Sequence, residues 1–199
     1  EIASCLVGSE MCIRDRHYLA ASDVTNYNVS YKYFSVILIL NNIICMPLWS
    51  AFTEAYVKKD FIWIRNIIKK MLIVFVFWIL VGGIMLIGSN TIYGLWTGME
   101  LNIPYSLSAV VYLFMLTCCW NGIFIAFING IGKIQLQVLL SILPILLMLP
   151  LSKLLISVFH FGVTGIVLCM LLFNIISSLM ISIQVWKILR GTDRGIWAK

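Results

Sequence analysis

The sequence predicts an all-α membrane protein with five transmembrane helices, and composition, segment length and loop charge support this prediction. The chain of 199 residues is 62% hydrophobic and 11% charged, with a mean hydropathy of +1.02. Soluble domains are about 45–50% apolar and about 25% charged. From residue 17 onward, long apolar segments alternate with short polar loops, and lysine and arginine collect in every second loop. This combination is typical of a polytopic membrane protein.

Five apolar segments follow one another along the chain. They cover about residues 26–56, 68–96, 104–131, 135–159 and 163–188. Each has at least the ~20 residues that a helix needs to cross a bilayer. Membrane strands would alternate apolar and polar residues, and these runs are continuously apolar, so helices are predicted. Residues 17–199 are therefore interpreted as one transmembrane bundle.

The loop charges predict the orientation of this bundle. Basic residues follow the first, third and fifth segments: Lys58, Lys59, Arg65, Lys69, Lys70, Lys133, Lys187, Arg190, Arg194 and Lys199. The loops after the second and fourth segments hold Glu100 and His160 instead. Because cytoplasmic loops carry an excess of lysine and arginine, residues 58–70 and the C-terminus are expected on the cytoplasmic side.

The N-terminal residues are expected to be foreign to the fold. Residues 5–16 read CLVGSEMCIRDR, which resembles the in-frame translation of a transposase adapter used in sequencing libraries. We therefore expect residues 1–16 to be a non-native segment and the rest to be the C-terminal piece of a longer reading frame. A signal peptide is not predicted, because these residues lack the usual apolar run of ~7–15 residues.

Several function classes find no support in the sequence. Four of the six cysteines lie in apolar segments, where they behave as small hydrophobes: Cys45, Cys118, Cys119 and Cys169. No CxxC pair, Cys/His ligand set, nucleophile–base pair or phosphate-binding loop is visible, so no enzyme, metal site or cofactor is predicted. The net charge of +6 sits between apolar segments rather than on a soluble face, which argues against a nucleic-acid partner.

Polar residues form a stripe along the first apolar segment. At about 100° per residue, one side of a helix carries Asn28, Lys32, Ser35, Asn42, Met46, Trp49 and Thr53, whereas Asn41 points elsewhere. Polar residues at membrane depth face a protein interior or a water-filled cavity by default, so the stripe predicts a cavity lining. Two alternatives stay open. Ser35 and Asn42 could simply hydrogen-bond a neighbouring helix, and Lys32 could extend to the outer interface.

Proline and aspartate predict local features of the helices. Pro47 should bend the first helix near its cytoplasmic third, and Pro144 and Pro150 should bend the fourth. Asp60 is placed to cap a helix that starts at Phe61.

Three short runs carry a resemblance to a known family. Residues 31–34 read YKYF, residues 47–56 read PLWSAFTEAY, and residues 92–96 read IYGLW. These runs resemble bacterial polysaccharide transporters of the O-antigen flippase type, within the multidrug/oligosaccharidyl-lipid/polysaccharide exporter superfamily. The resemblance extends loosely over residues 22–190. It implies a fold of two six-helix bundles, of which this chain would supply an incomplete C-terminal bundle.

The resemblance also implies an activity. Such proteins flip an undecaprenyl-pyrophosphate-linked oligosaccharide across the bacterial inner membrane by alternating access. It assigns Lys32 as an anion contact and Asn28, Ser35, Asn42, Trp49 and Thr53 as cavity lining. Expected partners are the lipid-linked oligosaccharide, membrane lipids, the missing first bundle and the polysaccharide polymerase machinery. The fragment alone is expected to be inactive.

Two other functions stay open at this point. A multidrug or cation antiporter of the same fold would carry a membrane-embedded carboxylate for ion coupling. Much of that machinery can reside in the missing bundle, and the candidate in this chain is Glu54, near an interface. A membrane scaffold without transport activity would need no aligned polar stripe.

Overall fold

The computed structural model describes residues 21–98, 103–157 and 162–192, and every regular element in these ranges is a helix. The helices are α1 (Ala21–Val57), α2 (Phe61–Ile87), α3 (Ser89–Thr97), α4 (Tyr105–Ile131), α5 (Gln135–Ser157) and α6 (Gly162–Leu189).

Four of these helices are long and apolar enough to cross a membrane: α1 from Ser22, α2, α4 and α6. The described part of the chain is therefore all-helical and has the character of a membrane protein, which confirms the predicted fold class. In α5 the described apolar run is shorter, Gln135–Met148, so a fifth span stays a prediction. Pro144 and Pro150 lie inside α5 and Pro47 lies inside α1.

A tight reversal joins α1 to α2. Lys59 takes a left-handed φ of 57°, and the Asp60 N–H donates to the Ala55 carbonyl at 2.9 Å, which closes the end of α1. The Asp60 carboxylate then accepts the Trp63 N–H at 3.0 Å and caps α2. The predicted cap and the predicted start at Phe61 are both confirmed.

The second apolar segment, predicted as one helix over about 68–96, is divided in the structure. Helix α2 ends at Ile87, and Gly88 separates it from α3. Gly88 is the single non-helical residue at this break, and its N–H still donates to the Ile84 carbonyl at 3.1 Å. The break lets Tyr93 of α3 pack edge-on against Tyr33, with ring centroids 5.3 Å apart.

Helix α4 lies at the centre of the bundle. It packs against α1, α2 and α6, and more of its apolar length is buried than in the other described spans. One buried cluster lies around Phe34, Val111 and Met115, and a second lies around Phe52 and Phe127. The rings of Phe52 and Phe127 meet edge-on at 5.4 Å.

The basic loops meet at one end of the bundle, which we call the basic end. There, Arg65 of α2 donates to the Leu189 carbonyl of α6 at 2.6 Å. The Gln184 amide of α6 donates to the Lys133 carbonyl after α4 at 3.2 Å, and the Lys133 ammonium lies 6.0 Å from the ring centroid of Tyr56 in α1. These contacts bring together the segments in which the loop charges were concentrated.

Candidate functional site

The predicted polar stripe lies on a largely exposed face of α1, which borders α4 at Thr53. The buried residues of α1 face α4 and include Phe34, Ile37, Asn41 and Phe52. The stripe lies on another side of the helix. Asn28, Lys32, Asn42, Trp49 and Thr53 are exposed there, and Ser35 is partly buried.

A shallow, open depression of about 680 Å³, which we call the groove, lies along the basic half of this face, and its described lining comes from α1 and the residue that follows it. It is lined by Met46, Trp49, Ser50, Thr53, Glu54, Val57 and Lys58. The groove thus brings together two of the predicted site residues, Trp49 and Thr53. Asn28, Lys32, Ser35 and Asn42 continue the same face away from the basic end, outside the groove.

The serine and threonine hydroxyl groups on this face donate hydrogen bonds to backbone carbonyl groups. Thr53 Oγ1 lies 2.7 Å from the Gly130 carbonyl of α4 and 3.1 Å from the Trp49 carbonyl, so it links α1 to α4 at the edge of the groove. Ser35 Oγ donates to the Lys32 carbonyl at 2.8 Å, and Ser50 Oγ donates to the Pro47 carbonyl at 3.1 Å. Each oxygen keeps lone pairs with which it can accept a hydrogen bond from a ligand.

The charges at the basic end of the groove are paired. Lys58 donates to the Glu54 carboxylate one turn earlier, and both side chains are exposed. This hydrogen bond, together with the charge of Glu54, raises the pKa of Lys58 above its ordinary value. An exposed pair of this kind contributes little to stability. The charges of Lys58 and Glu54 cancel, so the basic end of the groove is close to neutral. The positive charge of the stripe itself comes from Lys32, farther along α1.

Two polar residues of α1 have positions that sequence analysis did not resolve. Asn41 is fully buried, and its amide lies 3.5 Å from the Cys119 carbonyl of α4 and 3.7 Å from Cys45 Sγ. It thus contacts a neighbouring helix, the role that was left open for Asn42. Ser50 lines the groove beside Trp49 and was missed, although its position next to the stripe could have indicated it.

The fold and this face define a class: an all-helical membrane protein whose first described span presents polar side chains on a largely exposed side. Comparison with protein-family models, with curated proteins and with solved structures finds no match.

Proposed function

We propose that this chain forms part of a flippase that moves undecaprenyl-pyrophosphate-linked oligosaccharide across the bacterial cytoplasmic membrane. The observation that carries the proposal is the largely exposed polar face of α1. Along one helix it offers a cation at Lys32, amides at Asn28 and Asn42, and hydroxyl groups at Ser35 and Thr53. A pyrophosphate requires positive charge, and sugar hydroxyl groups require both donors and acceptors.

Placing polar groups in lipid costs free energy, which supports a protein-lined cavity on the polar side of α1. Amide and ammonium groups at membrane depth are rarely left against acyl chains. In the family that the sequence resembles, a second bundle encloses the cavity and the two bundles move against each other. Substrate sites of such transporters lie between the halves, near the middle of the bilayer. In this proposal, α1 is the wall that the present chain contributes.

The described spans supply no embedded carboxylate for ion coupling, so in an antiporter of this fold that group would lie in the missing first bundle. Their two carboxylates, Asp23 and Glu54, lie in the first and last turns of α1, and Glu54 is paired with Lys58. Ion coupling needs a carboxylate whose protonation or ion binding changes during transport. A paired, exposed carboxylate at a helix end is poorly suited to that role.

Transport by variants of the stripe tests the proposal. The assay uses a full-length flippase that carries this α1 stretch, expressed in a flippase-deleted cell, and measures surface polysaccharide at matched protein levels. Combining Lys32→Ala with Asn42→Leu should reduce the amount of surface polysaccharide about tenfold or more. The reason is that a charge-assisted hydrogen bond contributes about 1.5–3 kcal/mol and 1.4 kcal/mol corresponds to a factor of ten.

A matched control changes exposed apolar residues of the same helix that lie away from the stripe. Leu40 and Ile44 are 44% and 38% exposed, and Leu40→Ala with Ile44→Ala should leave surface polysaccharide unchanged. Normal display by the Lys32, Asn42 double variant would assign those residues a structural role. Equal loss in the control would show that any change on α1 disturbs the helix.

The proposed orientation places the basic end in the cytoplasm, because positive charge is retained on that side. Single cysteines at positions 100 and 194 should therefore react differently with a membrane-impermeant maleimide added to intact cells. Position 100 should be labelled from outside and position 194 only after the membrane is opened. Equal labelling of both positions from outside would contradict this topology.

A further inference from the structure

A crevice opens between α2 and α6 at the basic end. Both helices pack on α4 but make few contacts with each other, so α4 forms the floor of the gap. The space measures about 740 Å³, which is in the range of small-molecule and lipid sites. It lies apart from the polar face of α1 and is not used by the proposed transport pathway.

Four cations line the mouth of this crevice. Arg65 and Lys69 lie four residues apart on one face of α2. Lys187 lies in the last turn of α6, and Arg190 directly follows the end of that helix. No carboxylate belongs to the described lining. The mouth therefore concentrates positive charge from two helices, which favours an anion.

Two of the four cations, Arg65 and Arg190, make contacts that fix their side chains at the mouth of the crevice. The Arg65 guanidinium donates to the Leu189 carbonyl at 2.6 Å and so bridges the gap between α2 and α6. The Arg190 guanidinium stacks on Trp186, 3.4 Å from the ring centroid. Both guanidinium groups have further N–H donors with which they can bind a phosphate.

Apolar side chains continue the crevice toward the middle of the membrane. Leu72 lies on α2, Phe124 on the floor, and Leu179 and Ile183 on α6. Leu179 and Ile183 are 58% and 45% exposed, so the apolar wall is open to the side. The floor is fixed, because the Trp120 indole N–H of α4 donates to Ser182 Oγ of α6 at 3.0 Å.

We propose that this crevice binds one anionic glycerophospholipid from the leaflet at the basic end. Its phosphate lies among the four cations, and an acyl chain lies along Leu72, Leu179 and Ile183. The order of chemistry along the crevice matches such a lipid: charge at the helix ends, then apolar wall toward the bilayer centre. Basic pockets between membrane helices are suited to anionic headgroups, and juxtamembrane cations attract anionic lipids.

Lipid retention by the purified full chain tests this proposal. The protein is prepared in detergent and mixed in turn with phosphatidylglycerol, phosphatidylcholine and sn-glycerol 3-phosphate, and bound ligand is measured by native mass spectrometry. Phosphatidylglycerol should be retained and the other two should not, because the site needs both the charge and the chain. Equal retention of phosphatidylcholine would overturn the charge argument, and equal binding of glycerol phosphate would indicate a small-anion site instead.

Matched variants separate this site from general positive charge. Lys69→Gln with Arg190→Gln should weaken phosphatidylglycerol binding about 10- to 30-fold, from the usual contribution of two surface cations. Lys59→Asn with Lys70→Gln removes the same charge at residues outside the crevice lining and should leave binding unchanged. Ile183→Trp keeps the charge but fills the crevice, and it should also weaken binding. The proposal would be refuted if the two double variants weakened phosphatidylglycerol binding equally. It would also be refuted if Ile183→Trp left binding unchanged.

Discussion

Gly130→Ala is expected to destabilise the protein by about 2 kcal/mol, because it overpacks the contact between α1 and α4. A Cβ at Gly130 would lie 2.9 Å from the Trp49 carbonyl oxygen, 3.2 Å from Phe52 Cβ and 3.4 Å from the Thr53 nitrogen. Two of these atoms belong to backbone that cannot rotate away, so the helices must separate. Separation also strains the bond between Thr53 Oγ1 and the Gly130 carbonyl. The free energy of unfolding in an SDS titration of the purified protein measures the effect.

The control for this substitution is Gly122→Ala on the same helix. A Cβ there would lie 3.5 Å from Asn41 Nδ2, an ordinary contact. Alanine favours helix over glycine by up to about 1 kcal/mol, so this variant should be neutral or more stable. If Gly130→Ala proved as stable as Gly122→Ala, the close approach of α1 and α4 at Gly130 would be wrong.

Gly82→Ala should destabilise the protein by about 2–3 kcal/mol, and its neighbour Gly83→Ala should not. A Cβ at Gly82 would overlap the Tyr112 ring and would lie 3.1 Å from Ile37 Cδ1, where α1, α2 and α4 meet. The ring is held in place because the Tyr112 hydroxyl donates to the Ile79 carbonyl at 2.8 Å. Moving the ring would therefore cost this hydrogen bond as well as buried contacts.

Gly83→Ala is the control for Gly82→Ala. A Cβ at Gly83 meets nothing within 4 Å, so Gly83→Ala changes the same helix and the same residue type without a clash. The SDS midpoint of Gly83→Ala should equal or exceed that of the parent protein, and that of Gly82→Ala should fall. Similar midpoints for the two variants would mean that α4 does not approach α2 at Gly82.

Helix positions were largely predictable, because membrane helices need long apolar runs and the runs are bounded by charge or glycine. The cap at Asp60 was predictable from local chemistry alone. The break at Gly88 was not predicted, because hydropathy stays high across it. The contacts that accompany the break are tertiary and cannot be read from hydropathy: the Tyr93 ring packs on Tyr33, and the Tyr93 hydroxyl lies 3.1 Å from Ser108 Oγ.

The polar face of α1 was predictable as a periodic pattern, but its surroundings were not. Periodicity places Asn42 and Thr53 on one side, and it cannot say that α4 covers the side that carries Asn41. The basic crevice was harder still. Arg65 and Leu189 are joined by a hydrogen bond across 124 positions of sequence, and only the packing of α2 and α6 on α4 brings them together.

Because α1, α2 and α6 all pack on α4, the order of synthesis determines how long α1 and α2 are in the membrane before α4 can contact them. At about 5–20 residues per second, the ribosome completes α4 several seconds after α1 has emerged. During that interval the buried amide of Asn41 lacks the Cys119 carbonyl of α4. An unsatisfied amide is costly in lipid. We therefore expect α1 to stay beside the translocon or an insertase until α4 arrives, and to leave together with it.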